Sequence, residues 1–250
     1  MKLLPNINLY YNDFYKIISI QKLNEGSEGV ICRSEKDNTL YKFFIHSGIP
    51  IGMTENKEKK IQQLYELSLP YLTNPISTIS MNGTLIGYEM TYDKRDIEFL
   101  PFRLKQDELL HFLKETKRQL EFFSQHDIIY GDVAPRNILI NPHTGKIKFC
   151  DVDNVSIGDL PIDIMCRNLR EYHASRGIDK QTDAYMHSIM TLNSFDLDET
   201  YCSPEEFSYY FEDEGKEILQ SIRDKKTYNG EYIIQYVKKR RWKKWKIYQI

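Results

Sequence analysis

The first third of the chain alternates between short apolar runs and polar turn sequences. Aromatic and β-branched residues dominate 14–23, 29–33 and 39–45, while the segments between them are rich in Gly, Asn, Asp and Glu. Runs of this composition bounded by turn-forming residues are typical of β-strands. We therefore expect three consecutive antiparallel strands in this part of the chain.

A helix and a hairpin are predicted next. Residues 54–68 begin with charged residues and continue with three leucine or isoleucine residues at helical spacing, which indicates a helix. Residues 76–81 and 84–90 flank Asn82-Gly83, a strong signal for a two-residue hairpin turn. The predicted order of the first ninety residues is β-β-β-α-β-β.

The pattern becomes mainly helical after residue 93. Four apolar residues fall on one face of a segment that runs from Gln106 to Gln125: Leu109, Leu113, Leu120 and Phe123. Two short strands are predicted at 138–140 and 146–150, and the chain from about residue 179 indicates further helices. We thus predict an α+β chain with an N-terminal lobe (1–93) of five antiparallel strands and one helix, a mostly helical lobe (94–237) and a basic tail (238–250).

Composition narrows the class of protein. Of the 250 residues, 41% are hydrophobic and 28% are charged, which is typical of a globular protein. Apolar runs are shorter than the roughly 20 residues that a membrane helix needs, and the N-terminus lacks a signal-peptide core, so we expect a soluble, cytoplasmic protein. The four cysteines are scattered, and no His/Cys cluster has metal-ligand spacing, which predicts reduced thiols.

The most informative segment is 130–137, Y-G-D-V-A-P-R-N, which lies between a predicted helix and a predicted strand. It resembles the catalytic loop of protein kinases, H-R-D-L-x-x-x-N. The resemblance implies that Asp132 accepts or orients the attacking hydroxyl and that Asn137 binds Mg²⁺. Fourteen residues after Asn137, a hydrophobic strand leads into Asp151, in the place of the metal-binding aspartate of the kinase D-F-G sequence.

Upstream residues extend the resemblance to the nucleotide-binding part of a kinase. The sequence L-N-E-G-S-E-G-V at 23–30 resembles the glycine-rich loop, with Asn24, Gly26 and Gly29 at the glycine positions. Lys42 stands at the place of the lysine that contacts the α- and β-phosphates, one strand later. The resemblance implies ATP and Mg²⁺ as cofactors.

Two further assignments complete the predicted ATP site. A glutamate of the helix at 54–68 should pair with Lys42, and Glu58 is our choice over Glu55 and Glu66 because Ile61 and Leu64 follow it at inward-facing spacing. Met90 and Tyr92 delimit the segment expected to bind adenine through its backbone.

The chain also departs from the kinase pattern. Gly131 replaces the arginine that grips a phosphorylated activation loop, so regulation by that route is not expected. Ala134 and Arg136 resemble the D-L-A-A-R-N loop of tyrosine kinases, where Arg136 could supply a charge near the phosphate. Asp153 replaces the D-F-G glycine, and it would either hinder a loop flip that needs φ > 0 or add a metal-facing carboxylate. Asp183 resembles the aspartate that caps the catalytic loop's backbone.

Three functions remain open at this stage. The first is a small, atypical protein kinase that phosphorylates serine, threonine or tyrosine of an unidentified protein substrate. The second is a small-molecule kinase of the aminoglycoside, choline or RIO-like type, and the third is a non-catalytic pseudokinase. Residues Lys238 to Lys246 carry seven positive charges and two tryptophans, which could bind nucleic acid, anionic lipid or an acidic protein, or could form a solvated helix face.

Overall fold

The structure, a computed structural model, describes residues 3–26, 29–34, 38–163, 166–226 and 231–238. It is a mixed α+β structure. The strands in these ranges are β1 (Asn6–Leu9), β2 (Lys22–Glu25), β3 (Gly29–Arg33), β4 (Thr39–His46), β5 (Ile49–Pro50), β6 (Pro75–Met81), β7 (Thr84–Thr91), β8 (Ile97–Glu98), β9 (Ile128–Ile129), β10 (Ile138–Asn141), β11 (Lys146–Phe149) and β12 (Ser156–Ile157). The helices are α1 (Tyr11–Gln21), α2 (Glu55–Leu67), α3 (Gln106–Gln125), α4 (Arg167–Arg176), α5 (Thr182–Ser194), α6 (Pro204–Tyr210) and α7 (Gly215–Arg223).

The chain divides into two compact units that do not follow the sequence in single blocks. Unit 1 consists of Met1–Ile97 and Leu139–Asp163, and unit 2 consists of Glu98–Ile138 and Ile164–Ile250. The lobe boundary at residue 93 stays a prediction, as does the separate tail at 238–250, of which residues 239–250 lie outside the described residues. Within the described ranges, no helix is both long enough and apolar enough to cross a lipid bilayer.

Unit 1 is organised around one sheet with strand order β1-β6-β7-β4-β3-β2, and β5 pairs with β4. The β6–β7 hairpin turns at Asn82 and Gly83, which have φ of 51° and 80°, so the prediction from Asn-Gly is confirmed. The prediction of five antiparallel strands was wrong. Within the described part of unit 1 the sheet has seven strands, and β1 pairs with β6 in parallel.

Helix α1 occupies most of the segment predicted as the first strand. Phe14 and Ile17, three residues apart, are buried against β3, β4, β6 and β7, and the Phe14 ring packs edge-on against Phe43 at 5.2 Å between centroids. The aromatic and β-branched residues at 14–20 favour a strand only by intrinsic propensity. Packing of one apolar helix face on the sheet overrides that propensity, since propensity differences are small beside the burial of large side chains.

Helix α2 covers the other face of the sheet. Its residues Ile61 and Leu64 are fully buried, and Ile61 joins a cluster with Leu40, Phe44 and Tyr88 of the strands. Thr54 begins the helix by accepting a hydrogen bond from the Lys57 N–H at 3.3 Å. The predicted helix at 54–68 is therefore confirmed, and the sheet lies between α1 and α2.

Unit 2 is built around α5, which is buried along nearly its whole length. Helix α3 has the predicted bounds and buries the four predicted apolar residues. It contacts α5 through a hydrogen bond from His187 Nε2 to the Leu113 carbonyl (2.9 Å). Helix α4 also packs on α5, with the Tyr172 and Tyr185 rings 4.5 Å apart. The sequence analysis missed α4, because its mean composition is strongly polar and only Leu169 and Tyr172 are buried.

Candidate active site

Strand β4 places Lys42 on the α2 side of the unit 1 sheet. Lys42 lies opposite Ile31 of β3 and Tyr88 of β7, and its side chain is only 6% exposed. Alternation along β4 puts Phe44 on the same face, with the Lys42 ammonium 5.5 Å from the centre of the Phe44 ring. The Lys42 ammonium is thus shielded from water and lies beside an aromatic ring. A buried cation of this kind is costly in free energy unless an anion pairs with it.

Those partners are two aspartates from the turn after β11. Lys42 Nζ donates to Asp151 Oδ1 and to Asp153 Oδ1, the latter at 2.6 Å. Burial by itself lowers the pKa of Lys42, but the Asp153 and Asp151 carboxylates raise it by more, so the pKa lies above its ordinary value. The ammonium group therefore stays charged at neutral pH.

Asp151 begins the turn in a left-handed backbone conformation, with φ 61° and ψ 47°. Its side chain is 32% exposed, and its second oxygen accepts a hydrogen bond from Asn154 Nδ2 at 3.1 Å. The residue with positive φ is therefore Asp151, the first residue of the D-V-D sequence. The sequence analysis considered a positive φ, and the strain it causes, at Asp153 instead.

Asp153 is fully buried and is held by three donors. Its Oδ1 accepts from Lys42 and from the Tyr88 hydroxyl (2.8 Å), and its Oδ2 accepts from Lys57 Nζ (2.8 Å). Burial raises the pKa of the Asp153 carboxyl, but Lys42 and then Lys57 lower it by more, so it is held well below its usual value. Asp153 is therefore an ionised, immobilised carboxylate.

The prediction that Glu58 pairs with Lys42 was wrong. Glu58 is exposed, and the inward-facing residue at the start of α2 is Lys57, with a side chain only 12% exposed. Lys57 precedes the buried residues Lys60, Ile61 and Leu64 by three, four and seven positions and so shares their helix face, whereas Glu58 is rotated by about 100° from Lys57. The buried stripe follows the spacing i, i+3, i+4, i+7: Lys57, Lys60, Ile61 and Leu64.

Helix α2 therefore presents cations where the kinase pattern has an anion. Lys57 also donates to Asn154 Oδ1 at 2.8 Å, and Lys60, which is fully buried, contacts Asp163 Oδ2 at 3.0 Å. Neither lysine was predicted as a site residue. Projecting residues 55–67 on a helical wheel would have found both on the face of Ile61.

The predicted glycine-rich loop joins β2 to β3. Asn24 lies in β2 and its side-chain oxygen accepts from the Glu25 N–H, while the Gly26 N–H donates to the Gly29 carbonyl at 2.8 Å. A Cβ on Gly29 would lie 2.1 Å from the Phe43 carbonyl oxygen. Gly29 is thus needed for the approach of β3 to β4. Residues 27 and 28 of this loop lie outside the described residues.

The segment expected to bind adenine is already partly bonded within unit 1. Met90 is buried in β7, the Thr91 N–H donates to the Asn74 carbonyl (2.9 Å), and the Tyr92 N–H donates to the Asn38 carbonyl (2.8 Å). The adenine-binding roles of Met90 and Tyr92 stay predictions. The Thr91 and Tyr92 N–H groups are already hydrogen-bonded within unit 1 and are not available to adenine.

In unit 2, Asp183 fixes the backbone of the segment 130–137. Its Oδ2 accepts from the Tyr130 N–H (2.9 Å) and its Oδ1 accepts from the Gly131 N–H (2.7 Å), as predicted. Burial raises the pKa of Asp183 to about 6, against the opposing effect of the two backbone donors. Gly131 has φ 77°, a conformation in which glycine avoids the strain that the arginine of the kinase pattern would carry.

Asp132 and Asn137 are hydrogen-bonded to each other within this loop. Asn137 Nδ2 donates to the Asp132 backbone carbonyl and to Asp132 Oδ2, both at 2.9 Å. The Arg136 Nη2 group contacts both carboxylate oxygens at 2.9 and 2.8 Å, although its side chain is 60% exposed. Burial is the main cause that raises the pKa of the Cys166 thiol to about 11, and the negative charge of Asp132 raises it further.

The side chains predicted to bind metal have suitable chemistry. The Asn137 amide nitrogen is used by Asp132, which turns its carbonyl oxygen away from that contact, and Asp151 offers a partly exposed carboxylate. Oxygen atoms of this kind are the ligands that Mg²⁺ prefers, and in kinases Mg²⁺ keeps waters and substrate phosphates as its other ligands. Among the described residues, no cluster of three or more His, Cys, Asp or Glu could hold a metal alone.

A buried lysine on a central strand, an aspartate after a short hydrophobic strand and an Asp-Asn pair on a capped loop are features compatible with a kinase-like fold. Comparison with known proteins agrees at this coarse level. The chain is similar to cyclin-dependent kinase-like 4 of Mus musculus, with 28% identity over 143 residues that cover 54% of this chain and 42% of that protein. The chain thus spans less than half the length of this relative. No family model matches the sequence.

Proposed function

We propose that this protein is an ATP- and Mg²⁺-dependent kinase that transfers the γ-phosphate to a serine, threonine or tyrosine hydroxyl of a protein. The observation that carries the proposal is the Asp132–Asn137 pair on a loop whose backbone is held by Asp183. A carboxylate fixed next to an amide ligand is the arrangement that phosphoryl transfer uses. The ion pair between Lys42 and Asp151 in unit 1 supports the same reaction.

Each residue would have a separate task. Asp132 would orient the acceptor hydroxyl and take its proton, while Arg136 would release the carboxylate and contact the transferred phosphate. Lys42 would bind the α- and β-phosphates, for which its desolvated ammonium is suited. Asn137 and Asp151 would hold Mg²⁺, which supplies charge neutralisation on the phosphates when bound. In this scheme catalysis is mostly positioning.

A non-catalytic role is the second candidate. It is favoured by the Thr91 and Tyr92 N–H groups, which are bonded within unit 1 and are not available for adenine. Absence of phosphate transfer together with weak or absent ATP binding would support this alternative over the first.

The test is incubation of the protein with labelled ATP and Mg²⁺, alone, with protein mixtures and with small hydroxyl compounds. Asp132→Asn and Lys42→Ala should each reduce phosphate transfer, the former by roughly 10²–10⁴-fold, which is the usual contribution of a catalytic base. Asp107→Asn is the matched control, since Asp107 is exposed on α3 and carries the same charge. Absence of transfer to any protein would refute the proposal, and transfer to a small molecule alone would identify the other class of kinase.

A further inference from the structure

Lys42 has two anionic partners, and the proposed function requires one of them for another task. If Asp151 turns its carboxylate to Mg²⁺, Lys42 loses that ion pair. Within the described ranges the remaining ion-pair partner of Lys42 is Asp153, at 2.6 Å. The glutamates of α2, Glu55, Glu58 and Glu66, are all exposed, so none of them takes the place of the helix glutamate of the kinase pattern.

Asp153 is more deeply buried than Asp151 and has contacts that do not depend on Asp151. It is 0% exposed, whereas the Asp151 side chain is 32% exposed. Contacts from Tyr88 of β7 and Lys57 of α2 fix both of its oxygens at 2.8 Å. Movement of the Asp153 carboxylate away from this position would break its bonds to a strand and to a helix at once.

Lys57 is the second half of this arrangement. Its ammonium lies between Asp153 Oδ2 (2.8 Å) and Asn154 Oδ1 (2.8 Å), and 5.1 Å from the centre of the Phe44 ring. With Lys42 and Lys57 on opposite oxygens, the Asp153 charge is compensated from two sides. Removal of either lysine would leave a buried carboxylate with a single cationic partner.

We propose that Asp153, held by Lys57, is the residue that positions Lys42 for contact with the nucleotide phosphates, in the role that the kinase pattern gives to a helix glutamate. The inference rests on the proposed function. The polarity of helix α2 is reversed in this arrangement: the helix supplies a cation, and the turn after β11 supplies the anion. Asp153 is then a positioning residue, distinct from the metal ligand Asp151.

The first experiment measures phosphate transfer and its Mg²⁺ dependence in Asp153→Asn and Lys57→Met. Asp153→Asn should lower kcat by roughly 10²-fold, the usual result of misplacing a catalytic group by about 1 Å. The Mg²⁺ concentration for half-maximal rate should not change, and Lys42→Met with Asp153→Asn should be no worse than Lys42→Met alone. Lys57→Met should reduce kcat in the same direction, while the matched control Glu58→Gln should stay within about twofold of the wild type.

Two outcomes would overturn the proposal. A large increase in the Mg²⁺ requirement of Asp153→Asn would make Asp153 a metal ligand, and unchanged kcat with reduced thermal stability would make it merely structural. If Asp153→Asn does not fold, the test relies on Lys57→Met, which removes the cation that holds Asp153. Unchanged kcat in Lys57→Met would then refute the proposal.

A second experiment separates this inference from the proposed function. Urea unfolding of the Lys42→Met, Asp153→Asn and double variants forms a cycle that needs no nucleotide. We expect the two changes to be non-additive by about tenfold in the unfolding equilibrium constant, as for directly paired buried groups. Coupling without phosphate transfer would refute the proposed function and leave the Lys42–Asp153 pair intact, whereas simple additivity would refute the pair.

Discussion

Two buried titratable groups on α5 should give the stability of the protein opposite dependences on pH. Asp183 accepts hydrogen bonds from the backbone of segment 130–137, and burial raises its pKa from 3.8 to about 6. His187, one helical turn later, has a pKa lowered by burial from 6.5 to about 4. Its Nε2 donates to the Leu113 carbonyl and its Nδ1 faces the Thr191 hydroxyl, so the neutral ring is the form that fits.

The sign differs for the two groups. The raised pKa of Asp183 gives a contribution to the free energy of unfolding that is complete below pH 3.8 and is lost as the pH rises through about 6. The lowered pKa of His187 gives a contribution that is complete above pH 6.5 and is lost as the pH falls through about 4. Each shift spans roughly two pKa units, worth about 3 kcal/mol at 1.36 kcal/mol per unit. Between pH 4 and 6 the two effects should nearly cancel.

Single variants should expose each effect. His187→Gln keeps a donor for Leu113 and removes the titration, so its stability should fall by about 3 kcal/mol, relative to the wild type, as the pH rises from 4 to 6. Asp183→Asn should show the reverse, with stability that falls by about the same amount as the pH drops from 6.5 to 4. The assay is urea unfolding followed by far-UV circular dichroism in half-unit pH steps.

The comparison uses slopes and not absolute stabilities, because either substitution also alters hydrogen bonds. Other titrating groups are common to the variants and the wild type and disappear from the difference. Parallel pH profiles for His187→Gln and the wild type would refute the argument, as would slopes of the same sign in the two variants.

Further predictions concern the glycine-rich loop and the tail. Gly29→Ala should destabilise the protein by about 1–3 kcal/mol in thermal unfolding, because its Cβ would overlap the Phe43 carbonyl, whereas Gly26→Ala meets no atom closer than 4.0 Å and serves as the control. Equal effects of the two changes would contradict this reason. We also propose that the basic tail binds an anionic partner: charge reversal at Lys238 to Lys246 should abolish binding to anionic vesicles or RNA in low salt, and full retention of both would exclude that role.

Local signals predicted several parts of the fold correctly. The bounds of α3 follow from its apolar stripe, and the β6–β7 turn follows from Asn82-Gly83, since each is specified by neighbours in sequence. Asp183 was assigned correctly as the residue that caps the loop. In contrast, α1 is helical because Phe14 packs on a sheet formed by later residues, which no window around Phe14 contains.

The candidate site shows the same division. The spacing of Asp132, Asn137 and Asp151 indicated a kinase-like arrangement, whose roles stay predictions. The partner of Lys42 was missed because a pattern of residue types expects an acid on the helix, while this chain supplies it 111 positions away, at Asp153. Such a pairing depends on tertiary placement. The choice of Glu58 also considered only its spacing to Ile61 and Leu64. Lys57 is three, four and seven positions from the buried Lys60, Ile61 and Leu64, and it is the residue that faces inward.

Because α1 and α2 cover opposite faces of the sheet, both faces of strand β4 are buried. Six consecutive residues, 40–45, are buried, with alternate side chains in contact with different helices. Most strands of exposed sheets tolerate polar replacements at every second position, but this strand should tolerate them at its ends alone. Sequence change around Lys42 is thereby confined to apolar exchanges of similar volume, and a natural variant with a polar residue at Tyr41 or Phe43 should also carry a change in α1.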